Sequence, residues 1–176
     1  MLWSFLLPSV MLRNSVFLSS ILLNSEVWYS LTTKNVQELE LVDHMLLRRV
    51  LECPQGTPTC IMYLELGCVP IRFIIKSRRI LFLQYILQQD EESLLHKFFK
   101  AQMENPVKGD WAPQVEQDLK DLDIKYSFEE IKSMSKQTFK VKVKSAIKIK
   151  AFEWLQSEKN KLKKVKDIVF TKFKMQ

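Results

Sequence analysis

The stretch from Tyr63 to Leu87, YLELGCVPIRFIIKSRRILFLQYIL, reads as a short helix that stops at Gly67, a restart at Val69-Pro70, and a long apolar helix. Glycine reaches the left-handed backbone that closes a helix. Proline is tolerated in the first helical turn, where its missing N–H would have had no partner. The second helix carries Ile71, Phe73, Ile74, Ile75, Ile80, Leu81, Phe82, Leu83, Ile86 and Leu87, more apolar surface than a solvent-facing element keeps. Arg72, Lys76 and Arg79 fall at i, i+4 and i+7, so they share one narrow stripe. The segment is a central core helix with one basic face.

On either side of it the chain is helical in pattern. Met11 to Leu23 is rich in Leu, Val, Phe and Ile. Thr32 or Thr33 can cap a helix running to about Leu51, with Val36, Leu39, Leu41, Val42, Met45, Leu46 and Val50 on its apolar side. Cys53-Pro54-Gln55-Gly56 is a turn, and Thr57-Pro58 opens the helix that ends at Gly67. Past the central helix, Asp90 is placed to cap a helix to about Met103, Asp110 to start another with Trp111, Val115, Leu119 and Leu122, and Ser127 to Met134 to form a short one. With only 3 Gly among 176 residues, a turn-rich all-β fold is disfavoured. The expected fold class is all-α: an irregular multi-helix domain, 1–133, followed by a Lys-rich C-terminal helical segment, 134–176.

Two templates compete over Phe139 to Lys150, FKVKVKSAIKIK. Apolar residues alternate with lysine at period two, as in an amphipathic strand. Yet Phe139, Val143, Ala146, Ile147, Ala151, Trp154, Leu155, Leu162, Val165 and Val169 also form a helical stripe that continues beyond the alternation, and no partner strand is evident elsewhere. Helix is the favoured reading, and either conformation exposes Lys140, Lys144 and Lys148.

Charge is uneven along the chain. From Met134 onward, 13 Lys face Glu153, Glu158 and Asp167, a balance of +10, so the preceding 133 residues carry −3 of the total +7. A near-neutral body with a basic C-terminal segment points to a polyanionic partner, nucleic acid first and an anionic membrane second. A solvated Lys-rich helix face is the bland alternative. In Met1 to Leu23, Arg13 and Pro8 interrupt the apolar run, which falls short of the ~20 residues of a membrane span, so a buried helix is expected.

The chemistry of a catalyst is missing from the pattern. There is no Gly-rich phosphate loop, no H-E-x-x-H, no G-x-S-x-G and no recognisable acid–base pair. His44 and His96 are isolated, and no neighbour in sequence nominates a base for either. Cys53, Cys60 and Cys68 are odd in number and match no compact zinc spacing, which favours free thiols in a reducing compartment, nucleus or cytoplasm. No cofactor or metal is expected, and the chain does not read as an enzyme.

Asn24-Ser25-Glu26-Val27-Trp28, after LRNSVFLSSILL, resembles the G/N-S-E-x-W box of LINE-type (non-long-terminal-repeat) retrotransposon polyproteins, which lies downstream of the polymerase palm. Leu46 to Leu51 (LLRRVL), the Pro54 to Pro58 turn, Tyr63 to Gly67, Pro70-Ile71-Arg72, Arg78-Arg79 and the Leu81 to Leu87 run follow in the same order. The resemblance covers roughly residues 12 to 155, with residues 1–11 as a start outside it. It implies the segment C-terminal to a reverse transcriptase domain, from the thumb connection onward, where template RNA or target DNA is held. The Tyr/Phe-x-Asp-Asp metal box, the palm, the fingers and the endonuclease are absent from the sequence, so polymerase activity transfers to no residue here.

The expectation is therefore a non-catalytic fragment that binds RNA or DNA through sequence-independent phosphate contacts, with a reverse transcriptase palm or another protein as a further partner. The candidate contacts are Arg72, Lys76 and Arg79 on the central helix and Lys140, Lys142, Lys144, Lys148 and Lys150 on the late segment, with Lys161, Lys163, Lys164 and Lys166 behind them. Trp111 and Trp154 fit a buried core better than a base-stacking role. The alternatives are a structural relic or helical protein–protein module, and a peripheral membrane protein using residues 1–23 and the Lys-rich tail.

Overall fold

A computed structural model describes residues 3–29 and 31–173, with side chains placed for 8–29 and 31–162. Among the described residues every regular element is helical. Helix α1 (Trp3–Leu12) runs through a π-helical turn (Arg13–Phe17) into α2 (Leu18–Ile21). Then come α3 (Thr33–Leu51), α4 (Thr59–Leu66), α5 (Ile71–Leu87), α6 (Leu94–Glu104), α7 (Trp111–Asp121), α8 (Phe128–Ser133) and the long α9 (Lys136–Phe173). No described helix is long and apolar enough to cross a membrane.

Local chemistry sets most of the helix ends. The Thr32 hydroxyl accepts from the Asn35 N–H while the Asn35 side chain accepts from the Thr32 N–H, and Ser127 and Glu130 repeat that box at the start of α8. Pro58 and Pro70 stand one position earlier than expected, as N-caps in extended conformation. Ser93, not Asp90, caps α6; the Asp90 carboxylate instead accepts from the Glu92 N–H in the turn before it. Gly67 closes α4 with φ +60°, as the sequence indicates.

Helix α5 is the centre. Its Phe73, Ile80, Leu83, Ile86 and Leu87 enter the largest core cluster with residues of α6, α7, α8 and α9. On another side, Ile71 and Ile75 meet Leu18 and Leu22. The alternating segment is helix, and Phe139, Val143, Ile147, Ala151 and Leu155 form its buried stripe. Each four-residue step turns the stripe by about 40° around a helix of 3.6 residues per turn. The early part therefore faces the main core, while Leu155 reaches a second cluster with Leu47, Cys60, Met62 and Tyr63. The composition change at 133/134 is thus no break in packing.

Helix α3 departs from its expected face. Glu40, Asp43 and Leu47 turn inward, at i, i+3 and i+7, and Leu41, Val42 and Met45 are left exposed. The inward carboxylates are paired: Asp43 with Arg13 and the Tyr63 hydroxyl, Glu40 with Arg72. Polar partners from other helices override the apolar pattern here, because a buried carboxylate needs a cation and hydrogen bonds.

Candidate nucleic-acid interface

The basic stripe of α5 is half-buried at Arg72 and Lys76, buried at Arg79, and paired with carboxylates of other helices. Arg72 donates from Nε and Nη2 to the two oxygens of Glu40 at 2.8 and 2.5 Å. Its guanidinium also lies 4.4 Å from the centroid of the Trp154 ring. Lys76 pairs with Asp118 at 3.6 Å and with Asp121. Arg79 is 4% exposed and donates from Nε to Asp118 at 2.8 Å. Three cations meet three carboxylates, with Arg72 and Lys76 half-buried and Arg79 buried, so each cation of the expected phosphate-binding face already has an acidic partner. The hydrogen bonds to Glu40 hold Arg72 above its ordinary pKa, and a phosphate would have to displace that carboxylate. Burial pushes the Asp118 carboxyl up even with Arg79 and Lys76 beside it, the mark of a pair that is costly to desolvate.

Helix α9 presents the other candidates differently. Lys140, Lys142, Lys144 and Lys148 are exposed, and none is within ion-pair distance of a carboxylate among the described residues. The Lys142 ammonium sits 4.4 Å from the centroid of the Tyr126 ring. Lys150 pairs with Glu153 at 3.1 Å and Lys161 with Glu158 at 2.6 Å, so these two are already partly neutralised. Lys163, Lys164 and Lys166 lie outside the residues whose side chains are described. Between Lys136 and Phe152 the chain has six lysines and no carboxylate. The same outer face exposes Val141, Ile149 and Phe152, the last at 56%. Helical geometry puts the lysines beside these apolar residues, because period-two alternation places part of each set on every side of a helix.

Neither tryptophan is free to stack on a base. Trp111 donates its Nε1–H to the Glu26 carbonyl at 2.7 Å and packs edge-on to Phe82 and Phe99. Trp154 is edge-on to Phe73 and covered by Arg72. The box at 24–28 is tied into this centre: Ser25 is fully buried, and its hydroxyl accepts from Arg78 at 3.2 Å.

The histidines and thiols form no reactive cluster. His44 packs edge-on to Tyr63 at 5.6 Å, and burial lowers its pKa against the opposing pull of Glu40 and Asp43. The Nδ1 of His96 is buried without a hydrogen-bond partner. Cys60 and Cys68 are buried free thiols whose pKa burial raises. Among the described residues no group of three His, Cys, Asp or Glu side chains is placed to hold a metal.

The sequence offered no signal for the three carboxylates that pair with the α5 stripe, because Glu40, Asp118 and Asp121 lie 32, 39 and 45 residues from their partners. The chain matches no protein-family model, no curated protein and no solved structure.

Proposed function

We propose that this chain is a non-catalytic helical fragment, derived from the region downstream of a LINE-type reverse transcriptase, that binds RNA or DNA along the outer face of α9. One observation carries the reading. Lys140, Lys144 and Lys148 stand at four-residue steps, about 6 Å apart along a helix rising 1.5 Å per residue, exposed and without carboxylate partners among the described residues. A row of unpaired ammonium groups is what neutralises successive phosphates and releases their counterions. The exposed Phe152 ring beside the row offers a surface on which an unpaired base can stack. Arg72, Lys76 and Arg79 support the helix bundle and leave the contact to α9.

The test is fluorescence anisotropy of labelled single-stranded RNA and of duplex DNA, titrated with the full chain across a salt series. Removing α9 is not a usable control, since Phe139, Val143, Ile147, Ala151 and Leu155 would leave the core with it. The variant Lys140→Gln/Lys144→Gln/Lys148→Gln changes only exposed side chains. It is expected to weaken binding and to flatten the log–log salt slope by about 2–3. Absence of binding at low salt by folded protein would sink the reading. Flotation with phosphatidylserine vesicles but no nucleic-acid binding would assign the same lysines, with Val141, Ile149 and Phe152, to a membrane surface instead.

A further inference from the structure

We infer that the outer face of α9 takes single strands in preference to duplex. This rests on the nucleic-acid reading above and names the form of nucleic acid that the face suits. Two rows run side by side there. Lys140, Lys144, Lys148 and Phe152 follow one another at four-residue steps, and Val141, Ser145 and Ile149 form the adjacent row. All seven side chains are exposed, Val141, Ile149 and Phe152 at 57%, 55% and 56%. Phe152 stands four positions after Lys148 and three after Ile149, so it neighbours both on the helix surface. Beyond Ile149 the second row ends at Glu153, which Lys150 pairs at 3.1 Å.

The two forms of nucleic acid meet these rows differently. A duplex keeps its bases stacked inside and turns its phosphates outward. It satisfies the lysines but offers nothing to Val141, Ile149 and Phe152. Lysines alone favour the duplex, since each phosphate contact releases about 0.9 counterions from a duplex and about 0.7 from a single strand. A single strand can lay its phosphates along the lysines and turn its bases onto the apolar row. Stacking on an aromatic ring tolerates any sequence, because every base has a π-face. Of the rings near this face, Trp154 is capped by Arg72 and Tyr126 by Lys142, each 4.4 Å from the ring centroid, which leaves Phe152 open. The lysines thus supply affinity for either form, and the apolar row supplies the choice between them.

Fluorescence anisotropy with labelled oligo-dT and with a blunt duplex of equal length, at matched salt, tests this. The full chain is expected to bind the single strand more tightly, by a margin that widens as salt rises, because the single-strand slope is shallower. Phe152→Ala should weaken single-strand binding by about 5–150-fold, the worth of one base–aromatic stack, and leave duplex binding and both salt slopes unchanged. Phe152→Tyr keeps the ring and should keep the preference. Circular dichroism should be unchanged in both variants, since the side chain is exposed. Duplex binding as tight as single-strand binding overturns the inference and leaves the phosphate contacts of α9 standing. A single-strand preference that survives Phe152→Ala, or a loss shared equally by the duplex, overturns it too. Absence of binding to either probe by folded protein removes it together with the reading on which it rests.

Discussion

The guanidinium of Arg13 and the carboxylate of Asp43 meet inside the protein, Nε to Oδ1 at 2.7 Å and Nη2 to Oδ2 at 2.5 Å, with 2% and 0% of their side chains exposed. The Tyr63 hydroxyl donates to the same carboxylate at 2.8 Å, and Arg13 also reaches the Val69 carbonyl at 3.2 Å. Arg13 opens the π-helical turn. The one charge within the apolar N-terminal segment is therefore the point at which that segment is fastened to α3, α4 and the turn before α5.

Arg13→Met leaves the Asp43 carboxylate buried without its cation and is expected to destabilise the chain by about 3–5 kcal/mol. Arg13→Met/Asp43→Leu should recover much of that loss, since an apolar pair of similar volume often replaces a buried ion pair at little cost. Urea midpoints at constant slope measure both. A single-variant loss under about 1 kcal/mol would show that the pair is not held as described.

Phe139 and Val141 are two residues apart in the alternating segment, so a strand would bury both or expose both. In the helix Phe139 is fully buried and Val141 is 57% exposed. Phe139→Ala should cost about 3–5 kcal/mol, and Val141→Ala less than about 0.5 kcal/mol. Comparable losses at the two positions would refute the helical register.

Glu52 ends α3 in the left-handed region, φ +49° and ψ +33°. Side chains carry a penalty of about 1–2 kcal/mol there, while glycine adds some entropy to the unfolded chain. Glu52→Gly should therefore stabilise by about 0.5–1 kcal/mol. Glu65→Gly, inside α4, should destabilise by about 1 kcal/mol. Thermal melts of the pair check the contrast, and a loss of stability in Glu52→Gly would contradict the cap assignment.

His44 is held below its ordinary pKa of 6.5, mainly by burial, with Arg48 and Arg72 adding to the effect and Glu40 and Asp43 opposing it. The folded state thus prefers the neutral ring. Its contribution is complete above the unfolded pKa of about 6.5 and is lost as pH falls from there through the lower folded value. Acidification from neutral pH should weaken the wild type more than His44→Gln, as read from denaturation midpoints at each pH. Parallel pH dependence in the two proteins would argue against a desolvated ring.

The α5 helix, the Gly67 stop, a start at Thr32 or Thr33, a short helix from Ser127 and the α9 stripe from Phe139 to Leu155 were legible in the sequence; Val165 and Val169 of that stripe lie outside the residues whose side chains are described. Each rests on cap chemistry within three or four residues or on the period of a single helix. Glu52 and Asp123 were not legible as left-handed positions, because nothing in a glutamate or an aspartate announces a positive φ as glycine does. The inward face of α3 was misread for a related reason. Leu41, Val42 and Met45 look like core, and only the arrival of Arg13, Tyr63 and Arg72 makes Glu40 and Asp43 the buried residues instead.

By itself the sequence determined that the chain is helical, where most helices begin and end, and that its positive charge concentrates after residue 134. Those properties follow from short-range backbone chemistry and from residue order. Which cations are free was decided only by tertiary structure. Arg72, Lys76 and Arg79 meet carboxylates distant in sequence, whereas Lys140, Lys144 and Lys148 meet none among the described residues. The physical reason is that Coulomb energy depends on distance in space and on desolvation, and neither is encoded in the spacing of residues along one helix.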